Sequence, residues 1–454
     1  MRGRRLLRQG VAAICLALST TALSAETLAQ TLTDAYTNSG LLAQNRAVLR
    51  AADEDVALAT SRLLPVISWA ATAASQAPRQ PSADTITAQL SLNADLTLFD
   101  GGANRIGREA QKELVLATRE SLRDVEQQVL LRAVQAYNSV RSTAEFISLR
   151  QNNLRVLQQE LQAAQDRFDV GEVTRTDVAL AQASVASAQS LLATARGDAE
   201  QAAAEFAVAV GRKPGTLVAV SPAPVSRTEN EAETLAVRNH PQVLQAQHSV
   251  TVRELGIKVA EAAYVPNATL SGRVGVDANT GIVGRSVTLS LGGPIYNGGA
   301  LPAGVRQAQA QRDQARAGLH LASLSVIQQV SNAYAVLQAA RASLQSTDEQ
   351  VRAARVAFEG IREEATLGAR TTLDVLNAEQ NLLNARANVI TAQEAEVNAS
   401  YAVLSAVGLL TADHLNLPVQ QYDPAAYYNL VKDAPAALSE QGQALDRVLR
   451  AIGQ

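Results

Sequence analysis

The 454-residue sequence predicts an α+β membrane protein in which four β-strands per chain contribute to a trimeric 12-stranded outer-membrane β-barrel, continued by a long α-helical coiled-coil periplasmic tunnel. Three observations carry this expectation. A secretory leader opens the chain, two pairs of segments alternate strictly between apolar and polar residues, and a long proline-free span follows each pair.

The leader comes first. Arg2, Arg4, Arg5 and Arg8 precede an apolar run from Val11 to Leu18, and small residues follow at Ala22, Ser24 and Ala25, so residues 1–25 read as a signal peptide. Cys15, the single cysteine, lies inside it behind Ile14 rather than a small residue, which argues against lipidation and leaves the mature chain without thiol chemistry. No later run reaches the roughly 18 consecutive apolar residues of a membrane-spanning helix. A net charge of -3 with scattered Lys and Arg gives no field for nucleic acid. With aromatics at 3% and alanine and glutamine abundant, the composition suits long helices packed through small side chains.

The remainder is a duplication. Leu98-Phe99-Asp100-Gly101-Gly102 recurs as Ile295-Tyr296-Asn297-Gly298-Gly299, and Gly171 with Asp177-Val178 recurs as Gly368 with Asp374-Val375, both at an offset of 197. Leu64-Pro65 and Val265-Pro266 are offset by 201, so four residues are lost between the proline and the paired glycines, where a hairpin loop belongs. The division expected is a first repeat over 26–215 (helix, β-hairpin, long helix, short helix), a linker over 216–228, a second repeat over 229–412 and a collar segment or tail over 413–454.

Within each repeat the periodicity switches. From Thr85 to Leu98 every even position is apolar (Ile86, Ala88, Leu90, Leu92, Ala94, Leu96, Leu98), a long two-faced strand. A weaker strand runs from Val66 to Ser75; Ala268 to Val276 and Val287 to Leu291 repeat the pattern in the second half. Such stretches have the length of barrel strands. One helix is expected from about Glu26 to Leu64 and another from Val173 to Val210, each about half as long as the helix starting at Ala103. Leu376, Leu383, Ile390 and Val397 recur every seven residues, the mark of a coiled-coil seam. Four strands cannot close a barrel, and an open edge in lipid leaves backbone groups unpaired, so copies must pool strands; three copies give twelve and an aqueous lumen. Outer-membrane lipid is then a partner.

These landmarks, with Arg167-Phe168-Asp169-Val170-Gly171 and Thr176-Asp177-Val178, resemble the TolC outer-membrane efflux family. The resemblance implies a homotrimer that docks a periplasmic adaptor (membrane fusion protein) and an inner-membrane efflux pump or ABC transporter, serving drug efflux or type I protein secretion as a passive conduit. It implies no cofactor and no metal. It also implies that Asp374 forms a carboxylate ring at a periplasmic gate, that Asn377 stands where a second acid is usual, and that Arg370 ties its helix pair to Thr176 and Asp177. A tyrosine of the family's closing contacts is replaced by Ala365.

The residues also admit plainer readings. Thr174-x-x-Asp177 and Thr371-x-x-Asp374 fit capping boxes, and Gly171 and Gly368 fit turns that end long helices. Trp69, Phe99 and Tyr296 lie near strand ends, in an interfacial belt or in packing at the barrel-to-helix joint. His240, His248, His320 and His414 lack metal-ligand spacing. An enzyme would need a convergent polar site, and none is legible; a periplasmic coiled-coil adaptor would have no use for two hairpins of membrane length.

Overall fold

The computed structural model describes residues 26–76, 85–225, 227–278, 280–436 and 439–452; the predicted signal peptide lies outside the described residues. The chain begins with α1 (Leu28–Asn38) and α2 (Gly40–Ser61), the hairpin β1 (Val66–Gln76) and β2 (Thr85–Phe99), then α3 (Ala103–Asp169) and α4 (Arg175–Val210). The second half repeats the order with α5 (Glu229–Asn239), α6 (Pro241–Ala262), β3 (Asn267–Asp277), β4 (Val283–Gly292), α7 (Ala300–Thr366) and α8 (Thr372–Val407). Two short helices follow, α9 (Pro424–Val431) and α10 (Glu440–Ile452).

The single helix expected from Glu26 to Leu64 is two. Ser39 adopts φ -65 and ψ 112, which ends α1, and its hydroxyl accepts from the Leu42 N–H at 3.2 Å to start α2. His240 makes the same break before Pro241, a residue suited to the first helical turn because it has no N–H to leave unpaired.

The duplication governs every later boundary. α3 and α7 are each 67 residues, about 100 Å at 1.5 Å per residue, and α4 and α8 are each 36. Both long helices start behind a left-handed glycine, Gly102 at φ 88 and Gly299 at φ 87. In the first half the Asp100 carboxylate accepts from Gly102 N–H at 2.9 Å and Asn104 N–H at 2.8 Å, fixing the strand-to-helix corner. β4 ends at Gly292, before the point where β2 ends at Phe99, because Pro294 cannot donate to a ladder and Gly293 lies where a Cβ would meet Pro266 Cα at 2.9 Å.

The four strands form one antiparallel sheet in the order β1-β2-β3-β4. Near the strands the helices follow the same order, α2 on α3, α3 on α6 and α6 on α7; beyond the middle the order becomes α4, α3, α8, α7. The core sits halfway along α3 and α7 in two related clusters. One gathers Leu28, Leu32, Tyr36, Tyr137, Phe206 and Leu410, the other Ala236, Val326, Val330, Tyr334 and Val403. The Tyr137 hydroxyl lies 2.8 Å from the carbonyls of both Glu26 and Val218, and Tyr334 donates to Arg227 at 3.1 Å, so connecting segments are pinned to the middle of the long helices. Among the described residues α4 alone is long and apolar enough to cross a membrane; its alanines pack along α3 instead.

Candidate functional site

Two regions carry the chemistry that the sequence singles out, the sheet and the far ends of the long helices. Register settles the two faces of the sheet. Trp69, Leu92, Val274 and Arg285 lie side by side on one face, as do Ile67, Ala94, Gly272 and Val287; Ser68, Asn93, Arg273 and Ser286 lie on the other. The apolar face is uncovered, with Leu90, Leu92, Val287, Leu289 and Leu291 all more than half exposed. An exposed apolar surface of this extent marks a contact with membrane or with protein. On the polar face Arg273 Nη2 donates to Gln89 Oε1 at 3.0 Å. Among the described residues the edge strands β1 and β4 each pair with one neighbouring strand.

Trp69 is the fourth residue of β1 and 74% exposed; Phe99 closes β2 behind a register shift after Thr97, and Tyr296 lies four residues beyond β4, 88% exposed. All three aromatic rings are uncovered, which suits the boundary between hydrocarbon and water.

At the far end the two halves reproduce one device. In the first, Gly171 N–H donates to the Phe168 carbonyl at 3.0 Å and Glu172 N–H to Arg167 at 2.9 Å; in the second, Gly368 donates to Ala365 at 3.1 Å and Ala369 to Glu364 at 2.9 Å. This pair of hydrogen bonds needs a left-handed residue, and Gly171 and Gly368 have φ +80 and +81. Each turn then starts the return helix with a capping box. Asp177 accepts from Thr174 N–H at 2.9 Å and Asp374 from Thr371 N–H at 3.0 Å, while each threonine hydroxyl accepts from the aspartate N–H. The Thr174 hydroxyl, then its N–H, hold the Asp177 carboxyl below its usual range; for Asp374 the Thr371 N–H comes first and the hydroxyl second.

Within one chain Arg370 does not reach Thr176 or Asp177. Its Nε donates to Glu364 Oε2 at 2.7 Å, across its own turn. Asn377 is exposed, and among the described residues it makes no side-chain hydrogen bond. Asn381, Asn384 and Asn388 continue its line at helical spacing, a pattern present in the sequence that carries no charge to mark it.

The C-terminal segment holds residues that no local pattern reveals. Arg46 stacks over Tyr36 at 5.1 Å and Tyr422 at 5.3 Å, Arg119 stacks over Tyr428 at 5.4 Å, and the Tyr427 hydroxyl donates to Glu54 at 2.5 Å. Under this strap Asp53 is fully buried with neither carboxylate oxygen hydrogen-bonded, and burial pushes its carboxyl up to about 6. Among the described residues no group of His, Cys, Asp and Glu is arranged to hold a metal.

A family model described as "Outer membrane efflux protein" matches residues 7–212 and 234–409. "Outer membrane efflux protein BepC" of Brucella suis biovar 1 is 37% identical over 420 residues, 90% of this chain and 91% of that protein. "Outer membrane protein TolC" of Escherichia coli K12 is 25% identical over 317 residues, 64% of this chain and 63% of that one. Among solved structures, CusC superimposes with a TM-score of 0.76 at 18% identity, covering 84% of this chain and 91% of that one. The Neisseria gonorrhoeae MtrE channel gives 0.73 at 22% identity, covering 85% and 90%. With the doubled hairpins and paired long helices already in place, the match across both repeats decides the question: the chain belongs to the outer membrane efflux protein family.

Proposed function

We propose that this chain is the outer-membrane exit duct of a tripartite export system, a passive conduit opened by an inner-membrane transporter and a periplasmic adaptor. One observation carries the reading. A sheet with one apolar and one polar face, in which β1 and β4 are the edge strands among the described residues, runs directly into helices about 100 Å long. Three such sheets close a twelve-stranded barrel with a wet lumen, and the helices carry that lumen into the periplasm.

The boundaries 26–215 and 229–412 for the two repeats follow from the equal offsets, with 216–228 as linker and 413–454 as a collar segment strapped to α2. Trp69, Phe99 and Tyr296 serve as interfacial anchors. The turns at Gly171 and Gly368 form the tip, with Asp374, Asn377, Arg370, Thr176 and Asp177 at the gate; contacts of Arg370 with Thr176 and Asp177 would then form between chains. For cargo, one relative that matches over 90% of the chain is named an efflux protein, while "Alkaline protease secretion protein AprF" of Pseudomonas aeruginosa is 27% identical over 66% of the chain. The longer match supports efflux.

Purified protein in planar bilayers tests the duct. Discrete conductance steps are expected; a trimer that inserts and passes no ions refutes the reading. Cargo is read separately from a deletion strain, as dye and detergent sensitivity for efflux or loss of a secreted polypeptide for secretion.

A further inference from the structure

The charged side chains of the four described strands do not share a face. Register places Asp95, Arg273 and Asp277 on the polar side of the sheet. Arg285, the third residue of β4, stands on the apolar side in the row of Trp69, Leu92 and Val274, and it is exposed. Among the described residues its guanidinium forms no ion pair and no hydrogen bond. A cation on a face turned to hydrocarbon is costly unless an anion or water meets it. A neighbouring copy offers no carboxylate from its edge strand, because barrel closure brings β1 beside β4, and β1 contains neither Asp nor Glu.

The sheet is dented beside this arginine. Gly272 puts no side chain between Ala94 and Val287, and Leu92, Val274 and Arg285 border the groove that results. Nothing in the fold demands glycine there: a Cβ would meet nothing nearer than the Ala94 carbonyl oxygen at 3.9 Å. Glycine inside a strand weakens it and marks a place where another group comes close. The position along the barrel is equally specific. β4 runs from Val283 at the hairpin to Gly292 at the helix side, and the helices extend into the periplasm, so the hairpin end faces outward. Arg285 and Gly292 are seven residues apart. At about 3.3 Å per residue and about 40° of tilt, that separation is about 18 Å of height. It falls in the outer part of an apolar band about 25 Å tall. From there an arginine stem can run along the strand and hold its head among the outer-leaflet headgroups.

Resting on the duct reading above, we propose that Arg285 and the groove at Gly272 form a binding site on each chain for a phosphorylated lipid of the outer leaflet. The guanidinium donates to two phosphate oxygens through its planar fork, and one acyl chain lies over Ala94 and Gly272 between Leu92 and Val287. Because β4 is an edge strand, the bound lipid lies against the seam where two chains join.

The test titrates full-length protein in detergent with diphosphorylated lipid A, and with the same lipid stripped of its phosphates, and counts bound lipids by native mass spectrometry. Wild type should prefer the phosphorylated lipid and bind one molecule per chain. Arg285→Gln should weaken that binding by about 10-fold or more and leave the phosphate-free lipid unaffected, whereas Gly272→Leu, which fills the groove, should weaken both. Equal affinity of wild type for the two lipids, or an Arg285→Gln variant that binds as wild type does, overturns the site. Arg285→Gln leaves the strand backbone untouched, so its result stands even if Gly272→Leu fails to assemble. Wild-type conductance is recorded alongside. A conducting trimer without the lipid preference overturns the site and leaves the duct intact; wild-type protein that neither forms trimers nor conducts refutes the duct reading, and the site with it.

Discussion

Replacing Asp53 with Asn should tighten the C-terminal strap at neutral pH, although it deletes a charge surrounded by arginines. Asp53 is fully exposed to neither water nor a hydrogen-bond donor: its relative accessibility is 0% and both oxygens lack partners. Desolvation raises its carboxyl from 3.8 to about 6, Arg119 on α3 pulls it down in part, and neighbouring Glu54 adds to the rise. Arg46 and Arg50 on α2 face the Tyr422 side of the same pocket. A rise of about 2 pH units corresponds to about 3 kcal/mol at most. The sign follows from proton linkage. The closed state holds the proton more tightly than a state with Asp53 in water, so closure is favoured at acid pH and loses that advantage as pH rises from about 4 to about 6. At pH 7.5 the buried carboxylate therefore opposes docking of the strap, and Asn removes that opposition. Amide hydrogen exchange over 422–431 reads the local opening. Exchange in the Asp53→Asn variant should be slower than in wild type at pH 7.5, by up to about 100-fold if the full 3 kcal/mol is expressed, and the two should converge at pH 4. Faster exchange in the variant at pH 7.5 would show that Asp53 forms a net stabilising ion pair with Arg119 and would refute the reasoning.

Three further outcomes follow from the same geometry. Gly211→Ala should destabilise the chain by more than the roughly 1–2 kcal/mol of a left-handed alanine, because at φ +87 the new Cβ meets Asn38 Cβ at 2.6 Å; Gly171→Ala has φ +80 and open space and should show the conformational cost alone. Urea titration of the two variants in detergent checks the difference. Tyr427→Phe loses the hydrogen bond to Glu54 and should weaken strap docking by about 1 kcal/mol, seen as faster exchange over 424–431 with the strands unchanged. Trp69, the sole tryptophan, is outward on β1, so its emission should be blue-shifted in nanodiscs and quenched by brominated lipid; quenching by aqueous iodide instead would place it away from the membrane.

Much of the fold was legible because it is periodic. Two-residue alternation marked β2 and β4, and the equal offset of Phe99-Asp100-Gly101-Gly102 and Tyr296-Asn297-Gly298-Gly299 fixed the start of both long helices. The break between α1 and α2 was not read, since Ser39-Gly40 interrupts no apolar periodicity and a serine cap is a weak signal inside a helical pattern; Pro241 marks its second copy more openly. The capping boxes at Asp177 and Asp374 were legible from spacing, and the structure adds that both carboxylates are committed to their own threonines. Arg370 could not be placed from sequence, because its partner Glu364 lies across a turn whose path depends on Gly368. Least legible was the strap: the stacking of Arg46 on Tyr422 and Arg119 on Tyr428 joins residues more than 300 positions apart, which no local pattern encodes.

Each chain contributes four strands and, at any height below them, four helical columns. Strands lie about 4.8 Å apart and tilt by about 40° in barrels, so twelve of them enclose a circle about 24 Å across between backbones. Helices pack about 10 Å apart, and twelve in a flat ring require a circle about 38 Å across. The conduit must therefore flare where it leaves the membrane, forming an antechamber wider than its outlet. Narrowing again at the tip requires helices to leave the ring and overlap, and the groove in which Leu180 and Leu191 of α4 face Leu373 and Leu376 of α8 above Leu157 of α3 shows such layering within a single chain. Once that end dilates, the bottleneck for anything in transit is the barrel itself, and the size limit for cargo is set in the membrane.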